Sequence, residues 1–328
     1  MKILVTGGAG YIGSHMCKHL DHNGYNPIIL DNLICGHRQA VKWGVFIEGS
    51  IGDKELLGHI FSEYKVEAVI HFAAFCYVDE SVKEPLKYYR NNVANAINLL
   101  ESMNENNIKN FIFSSSCSTY GEPIEIPITE EHPQNPINPY GRTKLMVEQI
   151  LDDFREAYGL HYISLRYFNA AGADPDGELG EDHRPETHLI PIVLQTALGQ
   201  RNSINIFGDD YKTTDGTCIR DYIHINDLAQ AHLLALEKLF NGCPEGKYNL
   251  GNGNGYSVKE VIDVVREITG KPIPTSIVGR RPGDPTILIG SSKKAIKELG
   301  WKPQFTDVYE IIKTAWEWHK RHPKGYSD

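Results

Sequence analysis

The segment from Asn138 to Lys144 places a tyrosine and a lysine four residues apart at the predicted start of a helix. Asn138 can cap that helix, and Pro139 suits its first position because no backbone donor is needed there. Tyr140 and Lys144 then lie on one helix face. An ammonium group and the positive end of a helix both favour a phenolate, so we expect the pKa of Tyr140 to be lowered. The pair could supply a base near neutral pH, although a half-buried tyrosine beside a solvated lysine would have the same spacing.

A glycine-rich turn near the N-terminus has the spacing of a dinucleotide-binding loop. Residues 2–6 predict a short buried strand, Gly7 to Gly13 form the turn, and a helix follows to about residue 23. The glycines let the backbone approach a pyrophosphate, and the helix N-terminus favours negative charge. The next strand, 27–30, ends at Asp31, whose carboxylate can bind a ribose and would repel a 2′-phosphate. This order predicts NAD rather than NADP as the cofactor.

The alternation of strands and helices continues as far as about residue 169. The predicted strands cover residues 45–48, 68–72, 111–113 and 162–167, and the predicted helices cover residues 54–64, 85–106 and 139–158. Continuous apolar strands between helices indicate a parallel sheet covered on both faces. Beyond residue 169 the pattern is shorter and less regular, with a helix at 258–268. We therefore expect an α/β fold, namely a Rossmann-type doubly wound parallel sheet with a smaller C-terminal α/β substrate domain.

Ser116 follows a central predicted strand, and Tyr140 begins the next helix. Ligands of such sheets bind beyond the carboxyl ends of the strands, so both side chains should reach one crevice. Oxidation of an alcohol there needs a base for the hydroxyl proton, a hydrogen-bond donor for the developing carbonyl, and a cation that favours the ionised base. Ser116, Tyr140 and Lys144 match these needs, although Ser116 could also serve only to cap a turn. A nicotinamide cofactor would take the hydride.

The overall composition excludes some classes of function. The 328 residues carry a net charge of -9 and no basic run, which argues against binding of nucleic acid. The chain has neither the form of a signal peptide nor an apolar run long enough to cross a membrane. Its six cysteines are scattered, so we expect free thiols and a cytoplasmic location.

Metal binding is not expected from the sequence. His15 and His19 are four residues apart on the first helix, but a third ligand is lacking. His183 and His188 lie among acidic residues in a predicted loop, and we interpret them as loop residues, with His188 a possible substrate contact.

The chain resembles the extended branch of the short-chain dehydrogenase/reductase family, and in particular its nucleotide-sugar epimerases. The motifs that carry the resemblance occur in order along nearly the whole chain: VTGGAGYIGSH, HFAA, YYRNNV, FSSSCSTYG, PYGRTK, LRYFNAAG, DGTCIRDYIH, YNLGNG and RRPGDP. The resemblance implies NAD-dependent 4-epimerisation of a UDP-sugar, with UDP-glucose and UDP-galactose as the first expected pair. Tyr140 would take the proton of the 4-hydroxyl, Ser116 would hydrogen-bond the 4-oxygen, and Lys144 would contact the nicotinamide ribose.

The resemblance also implies the residues of two binding shells. The cofactor shell would consist of Gly7, Gly10, Tyr11, Ile12, Gly13, Asp31, Asn32, Ser50, Ile51, Phe72, Ala73, Ala74, Asn92, Ser114, Tyr140, Lys144 and Phe168. The substrate shell would consist of Ser116, Tyr140, Asn169, His188, Leu189, Phe207, Arg220, Arg281 and Asp284. Arg220 and Arg281 would clamp the diphosphate, a role that suits bidentate guanidinium groups, and Asp284 would contact the uridine ribose.

Structural roles remain possible for these charged residues. Arg220 could form a surface ion pair with Asp221. Arg281 and Asp284 could only shape the Pro-Gly turn between them.

Three positions depart from the common pattern of these relatives, and a fourth, Leu288, differs from some of them. Ser50 stands where an aspartate often contacts adenine, and Cys76 stands where a lysine often reaches the cofactor ribose. His188 stands where an asparagine often lines the sugar pocket. Leu288 occupies a place where some relatives carry tyrosine, and its smaller side chain could leave room for an N-acetyl group. His188 and Leu288 therefore affect which sugar is bound, whereas the catalytic residues follow the common pattern.

Several alternatives follow from these positions. A UDP-xylose/UDP-arabinose or a UDP-N-acetylglucosamine 4-epimerase would use the same mechanism. A nucleotide-sugar 4,6-dehydratase would need an acidic pair where Cys117 and Ser118 stand. A non-catalytic NAD-binding redox sensor would usually have lost the tyrosine or the lysine.

The resemblance further implies how the chain is divided and assembled. Residues 1–170, with a return at about 218–238, would bind NAD, and residues 171–328 would mainly bind the UDP-sugar. The predicted helices that begin at Pro85 and Pro139 would pair with their copies as a four-helix bundle in a homodimer.

Overall fold

The computed structural model describes residues 1–281 and 284–327 and contains thirteen strands and eleven α-helices in that part of the chain. The strands are β1 Lys2–Thr6, β2 Asn26–Asp31, β3 Val45–Glu48, β4 Ala68–His71, β5 Asn110–Ser116, β6 His161–Tyr167, β7 Asn169–Ala171, β8 Ile204–Phe207, β9 Ile219–His224, β10 Glu245–Leu250, β11 Gly255–Ser257, β12 Thr275–Val278 and β13 Ile287–Leu288. The helices are α1 Tyr11–His22, α2 Lys54–Tyr64, α3 Val78–Lys83, α4 Pro85–Tyr88, α5 Asn95–Glu105, α6 Pro139–Tyr158, α7 Leu189–Ala197, α8 Ile225–Phe240, α9 Val258–Thr269, α10 Lys293–Leu299 and α11 Val308–Arg321.

Seven of these strands form one parallel sheet in the order β10-β6-β5-β4-β1-β2-β3. The strand order runs outward from β1 in both directions, which opens a crevice beyond the carboxyl ends of β1 and β4. The expected Rossmann-type fold is thus confirmed. The return of the chain to this sheet extends further than expected, because β10 adds its seventh strand.

Both faces of the sheet are covered because its central strands are apolar throughout. Ile3 and Val5 pack on one face beneath α1 and α8, whereas Leu4 between them packs on the other face with α2, α5 and α6. Successive side chains of a strand point to opposite faces, so an unbroken apolar run requires two layers of helices. This packing fixes the positions at which the strands end, and hence the edge of the crevice.

The predicted helix at 85–106 is wrong as a single continuous helix. A π-helical segment, Tyr89–Ala94, interrupts it between α4 and α5. Such segments let a helix present a side chain that regular winding would turn away. Here Asn92 is buried, and its side chain bonds both the N–H and the C=O of Phe75 at 2.9 Å. The irregularity thereby ties the helix to the loop that follows β4.

The C-terminal part forms a smaller layer against the crevice. Strand β9 pairs with β7, β11 and β13, and β8 pairs with β12. Helices α7, α9 and α11 share an apolar core with these strands. Among the described residues, no helix combines the length and the apolar character needed to cross a bilayer.

Candidate active site

A cavity of about 760 Å³ lies between the carboxyl edge of the large sheet and the C-terminal layer. This volume is typical of small-molecule sites. Every residue that the sequence analysis assigned to the two binding shells lines it, except Asn92. Asn92 lies behind the cavity wall, where it holds the backbone of Phe75.

The glycine turn forms the floor at one end of the cavity. Gly7 has φ +75°, and a Cβ atom there would meet the backbone nitrogen of Ala73 at 2.6 Å. A Cβ atom on Gly13 would meet the carbonyl oxygen of Gly7 at 2.1 Å. The turn therefore requires glycine at both positions. Gly10 is the N-cap of α1 and has no side chain that could accept from the first-turn amides, so these can bind an anion.

Asp31 lies on the same side of the cavity, at the end of β2. Its Oδ2 accepts from Ala9 N at 3.0 Å, and its Oδ1 accepts from Leu33 N at 2.8 Å. Burial raises the pKa of this carboxyl, although the two backbone donors act against that shift. The carboxylate is thus held in place at the cavity wall by the turn that follows the strand.

The start of α6 is built as the sequence predicts. Asn138 accepts from Gly141 N at 2.8 Å, which caps the helix, and Pro139 occupies its first turn. A Cβ atom on Gly141 would meet the carbonyl oxygen of Ser118 at 2.4 Å. The missing side chain lets α6 approach the turn after β5. Tyr140 and Ser116 consequently line the same part of the cavity.

The expected lowering of the Tyr140 pKa is wrong for the chain alone. Burial raises the pKa of the phenol well above its ordinary value, and the nearby Ser116 hydroxyl offsets only part of the shift. Lys144 Nζ donates to the carbonyl oxygen of Ser114 at 2.6 Å and lies 5.9 Å from the centre of the Tyr140 ring. Burial lowers the pKa of Lys144 to about 8. The cost of burying charge therefore outweighs the attraction that the spacing suggested.

Two arginines lie at the opposite end of the cavity. Arg220 donates to Asp284 and to the carbonyl oxygen of Ile219. The guanidinium carbon of Arg281 lies 3.9 Å from the centre of the Phe207 ring. Stacking and pairing hold both cations at the wall, so little ordering is needed when an anion binds.

The suggested pair of Arg220 with Asp221 is wrong. Asp221 is fully buried, and its carboxylate accepts from the backbone N–H groups of Asn252, Gly253 and Gly290. The suggested Pro-Gly turn at 282–283 lies outside the described residues.

The remaining predicted residues surround these groups. Asn169 donates to the carbonyl oxygen of Asp221 at 2.8 Å, and Ser50 Oγ accepts from Gly52 N at 3.1 Å. His188 is the N-cap of α7, and Leu189 begins that helix. The other members of the two shells contribute to the cavity lining, namely Tyr11, Ile12, Asn32, Ile51, Phe72, Ala74, Ser114 and Phe168.

Sequence reasoning missed part of the lining, notably Tyr77, Glu181 and His183. The histidines and glutamates of the segment 181–188 gave a signal, because their close spacing in a loop brings several polar groups together. The sequence analysis assigned only His188 to the cavity. Among the described residues, all six cysteines are free thiols, as expected, and Cys76 and Cys117 line the cavity.

Comparison with known proteins identifies the family. The model of the NAD dependent epimerase/dehydratase family matches residues 3–251. The chain belongs to this family. It is 56% identical to a UDP-glucose 4-epimerase of Halalkalibacterium halodurans, over 100% of this chain and 98% of that protein.

Solved structures agree with this assignment. The UDP-glucose 4-epimerase of Brucella ovis in complex with NAD is 51% identical, with a TM-score of 0.94 over 96% of this chain and 97% of that chain. The UDP-glucose 4-epimerase of Stenotrophomonas maltophila, with bound NAD and formylated UDP-arabinopyranose, is 38% identical. Its TM-score is 0.96 over 99% of this chain and 100% of that chain.

Proposed function

We propose that this chain is an NAD-dependent isomerase that epimerises carbon 4 of a UDP-sugar, with UDP-glucose and UDP-galactose as its main pair. The proposal rests on one observation, which is that three groups of residues line the same cavity. These are the glycine turn, the set of Ser116, Tyr140 and Lys144, and the arginine end with Arg220 and Arg281. They provide for a dinucleotide, for proton transfer and for a diphosphate, respectively.

The cavity residues fit NAD. The absence of a Cβ atom at Gly7 and Gly13 keeps the turn close to β4, and the uncapped amides of α1 can bind a pyrophosphate. Asp31 presents a fixed carboxylate where it can accept from ribose hydroxyls. When bound, oxidised NAD supplies a hydride acceptor and a positive charge in this cavity.

The catalytic set would act on the 4-hydroxyl of the sugar. Tyr140 Oη takes its proton and later returns it, and the Ser116 hydroxyl donates to the developing carbonyl oxygen. Because burial raises the pKa of Tyr140, the phenolate needs positive charge close by. Lys144 can supply this charge, because it lies one helical turn after Tyr140 on the same face of α6. Inversion at carbon 4 would require the oxidised sugar to turn its other face toward the cofactor before Tyr140 returns the proton.

The arginine end would hold the diphosphate while the sugar turns. Arg220 and Arg281 can each bind phosphate oxygens in a bidentate manner. The Arg220–Asp284 pair would open or share its donors when a ligand enters, which leaves Asp284 free to contact a ribose. The assignment of the two binding shells belongs to this proposal, with Asn92 acting from behind the wall.

The identity of the sugar depends on His188 and Leu288. Leu288 packs against the apolar cluster of Tyr120, Ile128 and Phe168 at the edge of the cavity. Its moderate size is compatible with UDP-N-acetylglucosamine as well as with UDP-glucose, and a UDP-pentose needs no additional room. Elimination of water, as in a dehydratase, is disfavoured because Cys117 and Ser118 line the cavity where acidic groups would be required.

We further propose a cytoplasmic homodimer whose NAD-binding part is residues 1–170 with a later return to the large sheet. Free cysteines support the location. Val82, Leu86, Ile97 and Met146 are exposed on α3, α4, α5 and α6, the region that the four-helix-bundle hypothesis assigns to the interface. Light scattering after size-exclusion chromatography should give twice the mass of 36.9 kDa, and a monomer at all concentrations would reject the dimer.

The function is tested by incubating the purified chain separately with UDP-glucose, UDP-N-acetylglucosamine and UDP-xylose. Quantifying each 4-epimer should show UDP-galactose forming fastest. Absence of product from all three would overturn the epimerase proposal and favour a non-catalytic NAD-binding protein. Faster turnover of the pentose or of the hexosamine would overturn the choice of sugar.

A further inference from the structure

The loop between β7 and α7 brings two glutamates and two histidines together at the cavity wall. One oxygen each of Glu181 and Glu186 and one ring nitrogen each of His183 and His188 all lie within 4.8 Å of one another. His188 Nδ1 lies 2.8 Å from a Glu181 oxygen and 3.3 Å from a Glu186 oxygen. His183 Nδ1 lies 3.2 Å and 3.6 Å from oxygens of the same two residues. One short stretch of chain thus brings all four groups together.

Regular hydrogen bonding does not account for this arrangement. The Nδ1 atoms of His183 and His188 are both buried and are ion-paired with the two glutamates, but these short contacts lack regular hydrogen-bond geometry. A buried ring nitrogen without a well-formed hydrogen bond is costly in a folded chain. By contrast, Glu186 Oε1 accepts from the backbone N–H groups of Thr187 and His188 at 2.8 Å, which fixes this carboxylate in place.

We propose that Glu181, His183, Glu186 and His188 bind a divalent first-row transition ion, with Zn²⁺ the best match. Zinc takes imidazole nitrogen and carboxylate oxygen in tetrahedral sites with bonds of about 2.0 to 2.2 Å. The edges of such a tetrahedron are about 3.4 Å long. The four histidine–glutamate separations of 2.8 to 3.6 Å lie around that value, with His183 and His188 contacting different oxygens of Glu186. The two carboxylates would balance the charge of the ion, and the imidazoles would bind it in their neutral form.

A second cluster of acidic residues in the same loop is neutralised by a lysine. Asp174, Asp176 and Glu178 also bring their oxygens together, but Lys18 Nζ occupies their centre at 2.7 to 2.8 Å from each. That cluster already contains its cation and needs no metal ion. In the histidine-containing cluster, the described contacts include no lysine or arginine, and only the two imidazoles pair with the glutamates.

The ion would be structural rather than catalytic. Four protein ligands fill a tetrahedral zinc site, whereas a catalytic site keeps one position open for water or substrate. Binding would join Glu181 and His183 to the N-cap of α7 at His188 and would so fix the position of Leu189 beside the sugar. The loop would then be anchored at one end by Lys18 and at the other end by the metal ion.

The test uses the full, untagged chain after treatment with EDTA. Equilibration with zinc chloride and removal of excess should leave about one zinc ion per chain by mass spectrometry. Cobalt chloride should give the intense visible absorption of tetrahedral Co²⁺, because geometry is diagnostic of the ligand set. Zinc should also raise the melting temperature, whereas magnesium should not. Zinc below roughly a tenth of an ion per chain, together with no cobalt absorption, would overturn the site and leave an ion-pair cluster.

A matched pair of variants assigns the ligands. His183→Gln removes one proposed ligand and should abolish both stoichiometric zinc and the cobalt absorption. His59→Gln alters an exposed histidine that also contacts a glutamate, and it should retain both. Unchanged zinc content in His183→Gln would overturn the assignment. If that variant does not fold, the cobalt absorption of the unmodified chain decides the question.

Discussion

The two walls of the cavity are held by different forces. The wall formed by β5 and α6 is fixed by backbone hydrogen bonds, a helix cap and the close approach at Gly141. The facing wall, from the loop after β7 to α7, is fixed by ion pairs, among them Lys18 with three acids. The difference separates two tasks. Proton transfer tolerates little displacement and is placed on regular elements, whereas the loop side is positioned by charged contacts.

The largest expected effect on turnover comes from removing the base, Tyr140, from the wall formed by β5 and α6. Tyr140→Phe keeps the ring and deletes only the hydroxyl, so turnover should fall roughly 10²- to 10⁴-fold while bound NAD is retained. Steady-state epimerisation and the nucleotide content of the purified variant measure the two effects. Tyr158→Phe, at the exposed end of the same helix, is the control and should leave the rate unchanged. A rate for Tyr140→Phe close to that of the control would contradict the assignment of the base.

The next effect tests the ion pairs that hold the loop after β7. Lys18→Met keeps the apolar stem but leaves Asp174, whose side chain is 3% exposed, without its cation. Breaking a buried pair in this way should lower the free energy of unfolding by about 3 to 5 kcal/mol in urea denaturation. Lys54→Met breaks an exposed pair with Glu101 and should cost at most about 1 kcal/mol. Equal losses in both variants would show that the loop is not anchored by Lys18.

A smaller effect, on the pH dependence of stability, concerns the buried ammonium group of Lys144 on α6. Because burial lowers the pKa of Lys144 from 10.5 to about 8, the unfolded chain binds more protons than the folded chain between these pH values. The destabilisation caused by burying charged Lys144 is present in full below the pKa of Lys144 in the folded chain. It disappears as the pH rises to the pKa of Lys144 in the unfolded chain. The free energy of unfolding of the unmodified chain, relative to Lys144→Met, should therefore rise by about 1 to 3 kcal/mol from pH 7 to pH 10. Urea denaturation without added nucleotide gives this difference. A difference independent of pH would mean that Lys144 keeps its ordinary pKa.

The smallest effect concerns selectivity between sugars and tests Leu288, which lies on β13 outside both of these walls. Leu288→Tyr should fill space beside the sugar and lower the ratio of kcat/KM for UDP-N-acetylglucosamine over UDP-glucose by roughly tenfold. Leu288→Ile preserves the volume and should leave the ratio unchanged. An unaltered ratio in Leu288→Tyr would show that this position does not face the N-acetyl group.

Local sequence signals were sufficient to predict the wall formed by β5 and α6. Asn138 and Pro139 predicted the start of α6, and the apolar run at 111–113 predicted β5, which continues to Ser116. The glycine spacing predicted the turn at Gly7 because no other residue type tolerates the close approach to Ala73. The helix at 85–106 was predicted as continuous, because a π-helical segment depends on where Asn92 finds its partners, which lie on another part of the chain.

Electrostatics could not be predicted in the same way. The spacing of Tyr140 and Lys144 suggested a lowered pKa for the phenol, but burial raises it. Likewise, the neighbour of Arg220 in sequence is Asp221, whereas its partner in the folded chain is Asp284. Both outcomes depend on how deeply a group is buried and on which distant groups surround it, and neither quantity is local in sequence.

The sequence by itself determined the parallel sheet, the dinucleotide turn and the three residue types suited to proton transfer. Periodicity, glycine spacing and helix caps are local properties, and each restricts the backbone within a few residues. The tertiary structure alone decided the partners of Arg220 and Asp221 and the protonation preferences of Tyr140 and Lys144. It also brought the side chains of Glu181, His183, Glu186 and His188 together. These features depend on burial and on side-chain direction, which are defined only once separate parts of the chain have packed together.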